Sequence, residues 1–304
     1  MNMHSSDNRS AGSIQAASST DPEGLKSLLI RRAGELVNQL IACAGRHDPP
    51  FLVDEFARLQ NIKRIEKTDL GETDAMLLRL AEGYVIRVNS NHHPFRQNFS
   101  CAHEIGHTVL HELERRPSVD ELELRALDLN MGRRTKERLC DAFAAELLMP
   151  EPVFRRYLLR FGASVSSIEG LSGIFKVSVP AVAIRVSQIS EEPCVAVLWR
   201  KCQKPRSKGF QLIWTSTPSS QHGGDYRTEE RGYVRDPSAL LRAYQGSCVI
   251  KSFKAFGLDS HKKRYYMESK GFGRDSARYV ISLIFPQRCS TGLEFQGRKD
   301  HANG

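Results

Sequence analysis

Apolar positions recur at helical spacing early in the chain and at strand spacing late in it. Leu25, Leu28, Leu29, Leu36, Leu40 and Ile41 form the stripe of an amphipathic helix. Asp21-Pro22-Glu23 supplies its start, an N-cap residue followed by proline and an acid, and Asp48-Pro49-Pro50 its stop. FLVDEFARLQNI predicts a second, short helix with Phe51, Val53, Phe56 and Leu59 facing inward. Ala75–Leu80 and Tyr84–Asn89 read as two strands joined at Glu82-Gly83, a hairpin. His92-His93-Pro94 breaks that pattern. Phe95–Glu114 predicts a helix with Phe99, Ala102, Ile105, Gly106 and Val109 on or near its apolar side. A charged, less ordered stretch follows from Arg115 to about Arg134, and another helix runs from near Thr135 to Met149-Pro150.

Pro152 to Ser190 reads as helix in short pieces, and IEGLSGIFKVSVPAVAIRVSQI has the proportions of helix, tight turn and helix. Beyond Glu191 the texture becomes strand-like (CVAVLWR, FQLIWTS, CVIKSF, RYYMES, RYVISLIF), with loops rich in Gly, Pro and Ser. Residues 1–21 are polar and Ser-rich, the composition of a disordered tail, and 289–304 read as loose. The predicted class is α+β. A mostly helical domain with a small sheet spans 22–150, a helix-turn-helix-like segment 151–190, and an α+β or β-rich domain 191–288.

The chain's 304 residues are 40% hydrophobic and 26% charged, which excludes wholesale disorder and collagen-like repeats. No run approaches the roughly 18–20 consecutive apolar residues of a membrane span, and the N-terminus lacks the layout of a secretory signal. Seven scattered cysteines without a C-x-x-C read as reduced thiols in a cytosolic protein. The net charge of +9 sits in the last third: residues 200–304 hold 20 Lys and Arg against 9 Asp and Glu. Such a domain attracts polyanions, nucleic acid or an acidic protein, or is merely well solvated. Its most basic stretch, His261–Arg274, interleaves aromatics. That suits base stacking, and equally a strand pair with Tyr265 or Tyr266 facing the core. In the helix-turn-helix-like segment the second helix offers only Arg185 as a basic side chain, which argues against direct DNA reading there.

The chemistry lies in SCAHEIGHTVLHE. His103-Glu104-Ile105-Gly106-His107 is an H-E-x-x-H pentapeptide. On a helix its histidines share one face about 6 Å apart, so both can reach one metal ion. Glu104 is displaced around the helix, where it reaches water rather than the ion and serves as general base. A catalytic zinc site wants a third protein ligand and one open position. His111 is poorly placed for this, about 12 Å along the axis from His103. KERLCDAFAAELLMP supplies Glu137 and, four residues on, Asp141 on the same face. Glu137 as ligand, with Asp141 accepting the outer N–H of His103 or His107, is a coherent proposal; each carboxylate taken alone equally reads as a solvated helix charge. Two histidines and a carboxylate also accept Mn²⁺ or Fe²⁺ in place of zinc. Tyr84, His92, His93, His111 and Tyr157 are the possible donors to an oxyanion.

AHEIGHTVLHE followed by ERLCDAFAAELLMP resembles the ImmA/IrrE family of zinc-dependent metallopeptidases, over about residues 50–190. The chain keeps Glu137, Phe143, Ala144, Ala145, Leu147, Leu148, Met149 and Pro150 of the family's second motif. It has Cys140 where alanine is usual and Asp141 where asparagine is usual. The resemblance implies a zincin-like, gluzincin-type domain with His103, His107 and Glu137 on zinc and Glu104 as base. It also implies a cytoplasmic endopeptidase that cleaves a helix-turn-helix repressor of the Xre type, switching on stress or mobile-element genes. Some relatives carry a GAF-like sensory domain where 191–288 falls. The peptide could pair with GYVIRVNS if that run is an edge strand. The alternative is a regulator that binds DNA or repressor without cleaving, its metal being structural; an intact Glu104 favours the hydrolase.

Overall fold

The computed structural model describes residues 22–45, 47–115, 133–202, 209–217, 238–246, 248–255 and 264–290. The expected N-terminal tail, most of the charged stretch after Arg115, and residues 291–304 lie outside them. The fold is α+β. Helix α1 (Pro22–Ala44) and the short α2 (Val53–Leu59) precede three strands, β1 (Ile62–Thr68), β2 (Ala75–Leu80) and β3 (Gly83–Asn89). Helices α3 (Pro94–Arg115) and α4 (Arg133–Leu148) follow, then α5 (Glu151–Phe161), α6 (Val165–Phe175) and α7 (Val179–Ile189). The remainder is β4 (Val195–Lys201), β5 (Phe210–Ser216), α8 (Ser238–Gln245), β6 (Ile250–Ala255), β7 (Arg264–Phe272) and β8 (Tyr279–Ser290).

The small sheet has the order β1-β3-β2, with β1 parallel and β2 antiparallel to β3. Three expectations change here. The strand β1 was not anticipated: IKRIEKT buries little beyond Ile62, so it shows no clean alternation. GYVIRVNS is the central strand, with Val85, Ile86 and Val88 buried, and β2 is an edge. Leu59 is 41% exposed at the end of α2, whereas Phe51, Val53 and Phe56 point inward as the spacing predicts.

Helices α3 and α4 cross closely because Gly106 has no side chain. A Cβ there would lie 3.2 Å from both the Cys140 Cα and a ring carbon of Phe143. The contact is sealed by Ala102, Ile105 and Val109 from α3 and by Leu139, Phe143, Ala144 and Leu147 from α4. Helices α6 and α7 meet at 114°, within the range of a helix-turn-helix. Lys176 takes the left-handed conformation that ends α6, and the Ser178 hydroxyl accepts the Ala181 N–H to start α7.

The second sheet has the order β5-β4-β8-β7-β6, with every pair antiparallel. Residues alternate between its faces. Ala196, Leu198, Ile281, Leu283 and Phe285 join the large core that begins at Ala33 in α1, whereas Val197, Trp199, Val280 and Ile284 pack with Ala239, Leu240 and Ala243 of α8. Polar contacts seat this sheet on α6 and α7. Glu268 of β7 accepts the N–H of Val165 at the start of α6 (3.1 Å), and Ser187 of α7 is 2.8 Å from Ser216 of β5. The aromatics of the basic stretch turn inward. Tyr265 is buried, and Tyr266 packs on Phe253 and Phe285 while donating to Glu268. No single described helix is long and apolar enough to cross a membrane.

Candidate metal centre

The crossing of α3 and α4 brings the two sequence motifs face to face. His103 Nε2 lies 3.1 Å from Glu137 Oε2, and His107 Nε2 lies 3.9 Å from the same oxygen. Donors around a tetrahedral zinc with bonds of about 2.0–2.1 Å sit roughly 3.3 Å apart. The shared oxygen therefore stands from both ring nitrogens at about the spacing of ligands on one ion. The two imidazoles are close, their centroids 5.0 Å apart and their planes at 69°.

The outer ring nitrogens face α4 as well. His103 Nδ1 lies 2.9 Å from Asp141 Oδ1, and His107 Nδ1 lies 3.4 Å from the Cys140 sulfur. Residues 137, 140 and 141 stand at i, i+3 and i+4, one face of one helix. That face meets all four nitrogens of the two rings. Sequence reasoning found Glu137 and Asp141 and passed over Cys140. Its signal was present, since i+3 belongs to the face that i and i+4 define. Together with His103 and His107, the buried Cys140 also forms a set of three donor atoms lying within 4.8 Å of one another.

Charge and burial set the protonation of the metal-free site. Burial pulls the His103 imidazole down, but Asp141, Glu104 and Glu137 outweigh it and hold His103 above its ordinary value. His107 is lowered, by burial first and then by neighbouring His103, so it is the more readily neutral ring. Burial raises Glu104, reinforced by Glu137 and opposed by His103 and the Leu77 backbone N–H of the edge strand β2. Burial also raises the Cys140 thiol, which stays protonated. Two imidazoles and a carboxylate match zinc or another divalent first-row ion.

Of the possible oxyanion donors, His111 lies next to the site and Tyr84 stacks on its ring at 6.3 Å. The charge of His111 helps lower His107. His92 is paired with Asp74 (2.9 Å), and His93 accepts the N–H of Phe95 at the opening of α3, roughly 15 Å from His103 along the helix. Tyr157 packs on Phe161 and Phe175 and donates to Asp48. Glu146, on the far side of α4 from Glu137, is bound to Arg185 of α7, which also donates to the Met149 carbonyl.

Residues 62–187 match the model of the IrrE N-terminal-like domain, a peptidase family. This segment is thus similar to the ImmA/IrrE metallopeptidases. The matched span covers both motifs, α5, α6 and nearly all of α7. The radiation response metalloprotease IrrE of Deinococcus radiodurans is 32% identical over 42% of this chain and 38% of its own length. That of Deinococcus deserti is 29% identical over 52% of this chain and 57% of its own. The chain thus spans less than two thirds of either relative. A solved structure described as a Mycobacterium tuberculosis transcriptional regulator superposes with a TM-score of 0.57 at 14% identity, over 87% of this chain and 81% of that one. This likeness is one of fold.

Proposed function

We propose that this chain is a cytoplasmic zinc-dependent endopeptidase of the ImmA/IrrE family that cleaves a partner protein, a helix-turn-helix repressor of the Xre type, and so derepresses stress or mobile-element genes. The observation that carries the hydrolase reading is the convergence of His103 Nε2 and His107 Nε2 on one Glu137 oxygen, with Glu104 one residue along. In this reading His103, His107 and Glu137 hold the ion, and Asp141 fixes the His103 ring through Nδ1. An ion held there would supply polarisation of the peptide carbonyl and a lowered pKa for water. Glu104 takes the proton from the attacking water and hands it to the departing amine nitrogen. Its raised affinity for protons suits a group that must do both.

The edge strand β2 offers unpaired backbone groups beside α3, and an extended substrate can add to it by main-chain hydrogen bonds. The Leu77 N–H, which faces Glu104, puts that edge next to the base. The competing picture of a non-cleaving DNA reader draws little from α7, because Arg185 is buried and engaged with Glu146 and Met149. The repressor encoded by the neighbouring gene, mixed with purified protein and zinc, supplies the test. Cleavage that stops in Glu104→Gln while zinc stays bound supports the reading. Cleavage that persists in that variant removes Glu104 from the mechanism.

A further inference from the structure

We infer that Cys140 is a positioning residue for His107, the counterpart of what Asp141 is for His103. This rests on the metal reading above and goes beyond it, because the cysteine stands where the resembled family usually has alanine. The contact is specific in direction. The Cys140 sulfur lies 3.4 Å from His107 Nδ1, while Nε2 of the same ring points to Glu137. It is also enforced by the backbone, because the missing side chain of Gly106 lets the Cys140 Cα approach α3 directly beside His107.

An imidazole that gives its Nε2 lone pair to a metal carries its proton on Nδ1, and a group accepting that proton fixes the tautomer and the ring plane. A thiol sulfur is a weak acceptor. Cys140 therefore holds His107 more loosely than the Asp141 carboxylate holds His103, but it gives the part-buried Nδ1–H a partner. With alanine here, nothing else described on α4 meets Nδ1. The competing role is direct ligation, in which sulfur replaces the Glu137 oxygen as third donor. One feature opposes it: the sulfur faces the ring nitrogen turned away from Glu137.

The test uses the full chain. Zinc affinity is measured by competition with a chromophoric chelator for wild type, Cys140→Ala, Cys140→Val and Cys140→Ser, with metal-free melting as the control for folding. The cobalt-loaded wild type supplies an absorption spectrum, and ¹⁵N-labelled histidine reports the His107 tautomer. Loss of the acceptor in Cys140→Ala and Cys140→Val weakens zinc about tenfold, the low end for an outer partner of a ligating histidine. It also removes the slowly exchanging Nδ1–H signal. Cys140→Ser, which keeps an acceptor, stays within about threefold of wild type. Wild-type affinity and an unchanged Nδ1–H signal in both alanine and valine variants would overturn the inference and leave the metal centre intact. A sulfur-to-cobalt charge-transfer band in wild type would overturn it by making Cys140 a ligand. A wild type that takes up no zinc would bring down the metal reading itself, and this inference with it.

Discussion

His103 faces a carboxylate at each ring nitrogen, Glu137 at Nε2 and Asp141 at Nδ1. That arrangement makes metal uptake a competition with protons. The ion needs the Nε2 lone pair, and the metal-free ring holds its second proton above the ordinary histidine value. Zinc affinity is therefore expected to fall as pH drops through that raised value, with one proton released per ion bound; calorimetry in buffers of differing ionisation enthalpy counts it. Asp141→Ala is expected to shift that midpoint downward and to weaken zinc by about 10–100-fold at alkaline pH. The stability linkage of the metal-free chain runs the other way. A raised histidine contributes its full stability below the ordinary value and loses it as pH rises through the folded value. Asp141→Asn in the metal-free protein should thus cost more in mild acid than in mild alkali, as read by denaturant melts. Glu104 is raised by burial, so the acid limb of cleavage should lie above the ordinary carboxylate range. Glu104→Gln should lower kcat by roughly 10²–10⁴-fold.

At the scale of elements, the site depends on how closely two helices cross. Gly106→Val sets a branched side chain against the Cys140 and Phe143 positions. It is expected to cost about 1–3 kcal/mol by overpacking and to weaken zinc, because α4 carries Glu137, the proposed third ligand, and the Cys140 and Asp141 side chains that meet the outer ring nitrogens. Melting and chelator competition on one preparation separate the two effects. Much of this was legible in the sequence. H-E-x-x-H and the Glu137–Asp141 pair declare themselves because each lies within one helix, where spacing alone sets the face. Cys140 lies on the same face three residues after Glu137, but its contact with His107 depends on how closely α4 approaches α3, and that is a property of two helices. The strand order was hidden for a similar reason. A hairpin of β2 and β3 leaves open which side a further strand adds to, and the strand that adds, β1, is mostly exposed and shows no alternation.

For the whole molecule, the large core runs without a break from Ala33 in α1 to Phe285 in β8. The sequence shows a change of texture at Glu191, and the structure shows one hydrophobic cluster crossing it. The chain is accordingly expected to unfold in a single cooperative transition that near- and far-ultraviolet signals trace together. The basic surplus of the last third takes part in this seating. Lys270 binds Glu169 of α6 (2.5 Å), and Arg288 grips Glu192 just before β4. Between α7 and the end of α4, Arg185 and Glu146 form a buried pair. Arg185→Ala strands a buried carboxylate and is expected to cost about 3–5 kcal/mol, a loss that denaturant titration measures. No sequence pattern marked Arg185 as structural, because its partner lies 39 residues away on another helix.

The most direct measurement is an anomalous-difference map at the zinc absorption edge, from crystals of the full chain grown with equimolar zinc. One peak is expected per chain, within about 2.0–2.2 Å of His103 Nε2, His107 Nε2 and a Glu137 oxygen. A peak bonded to the Cys140 sulfur in place of Glu137, or no peak near the two histidines, would contradict the account.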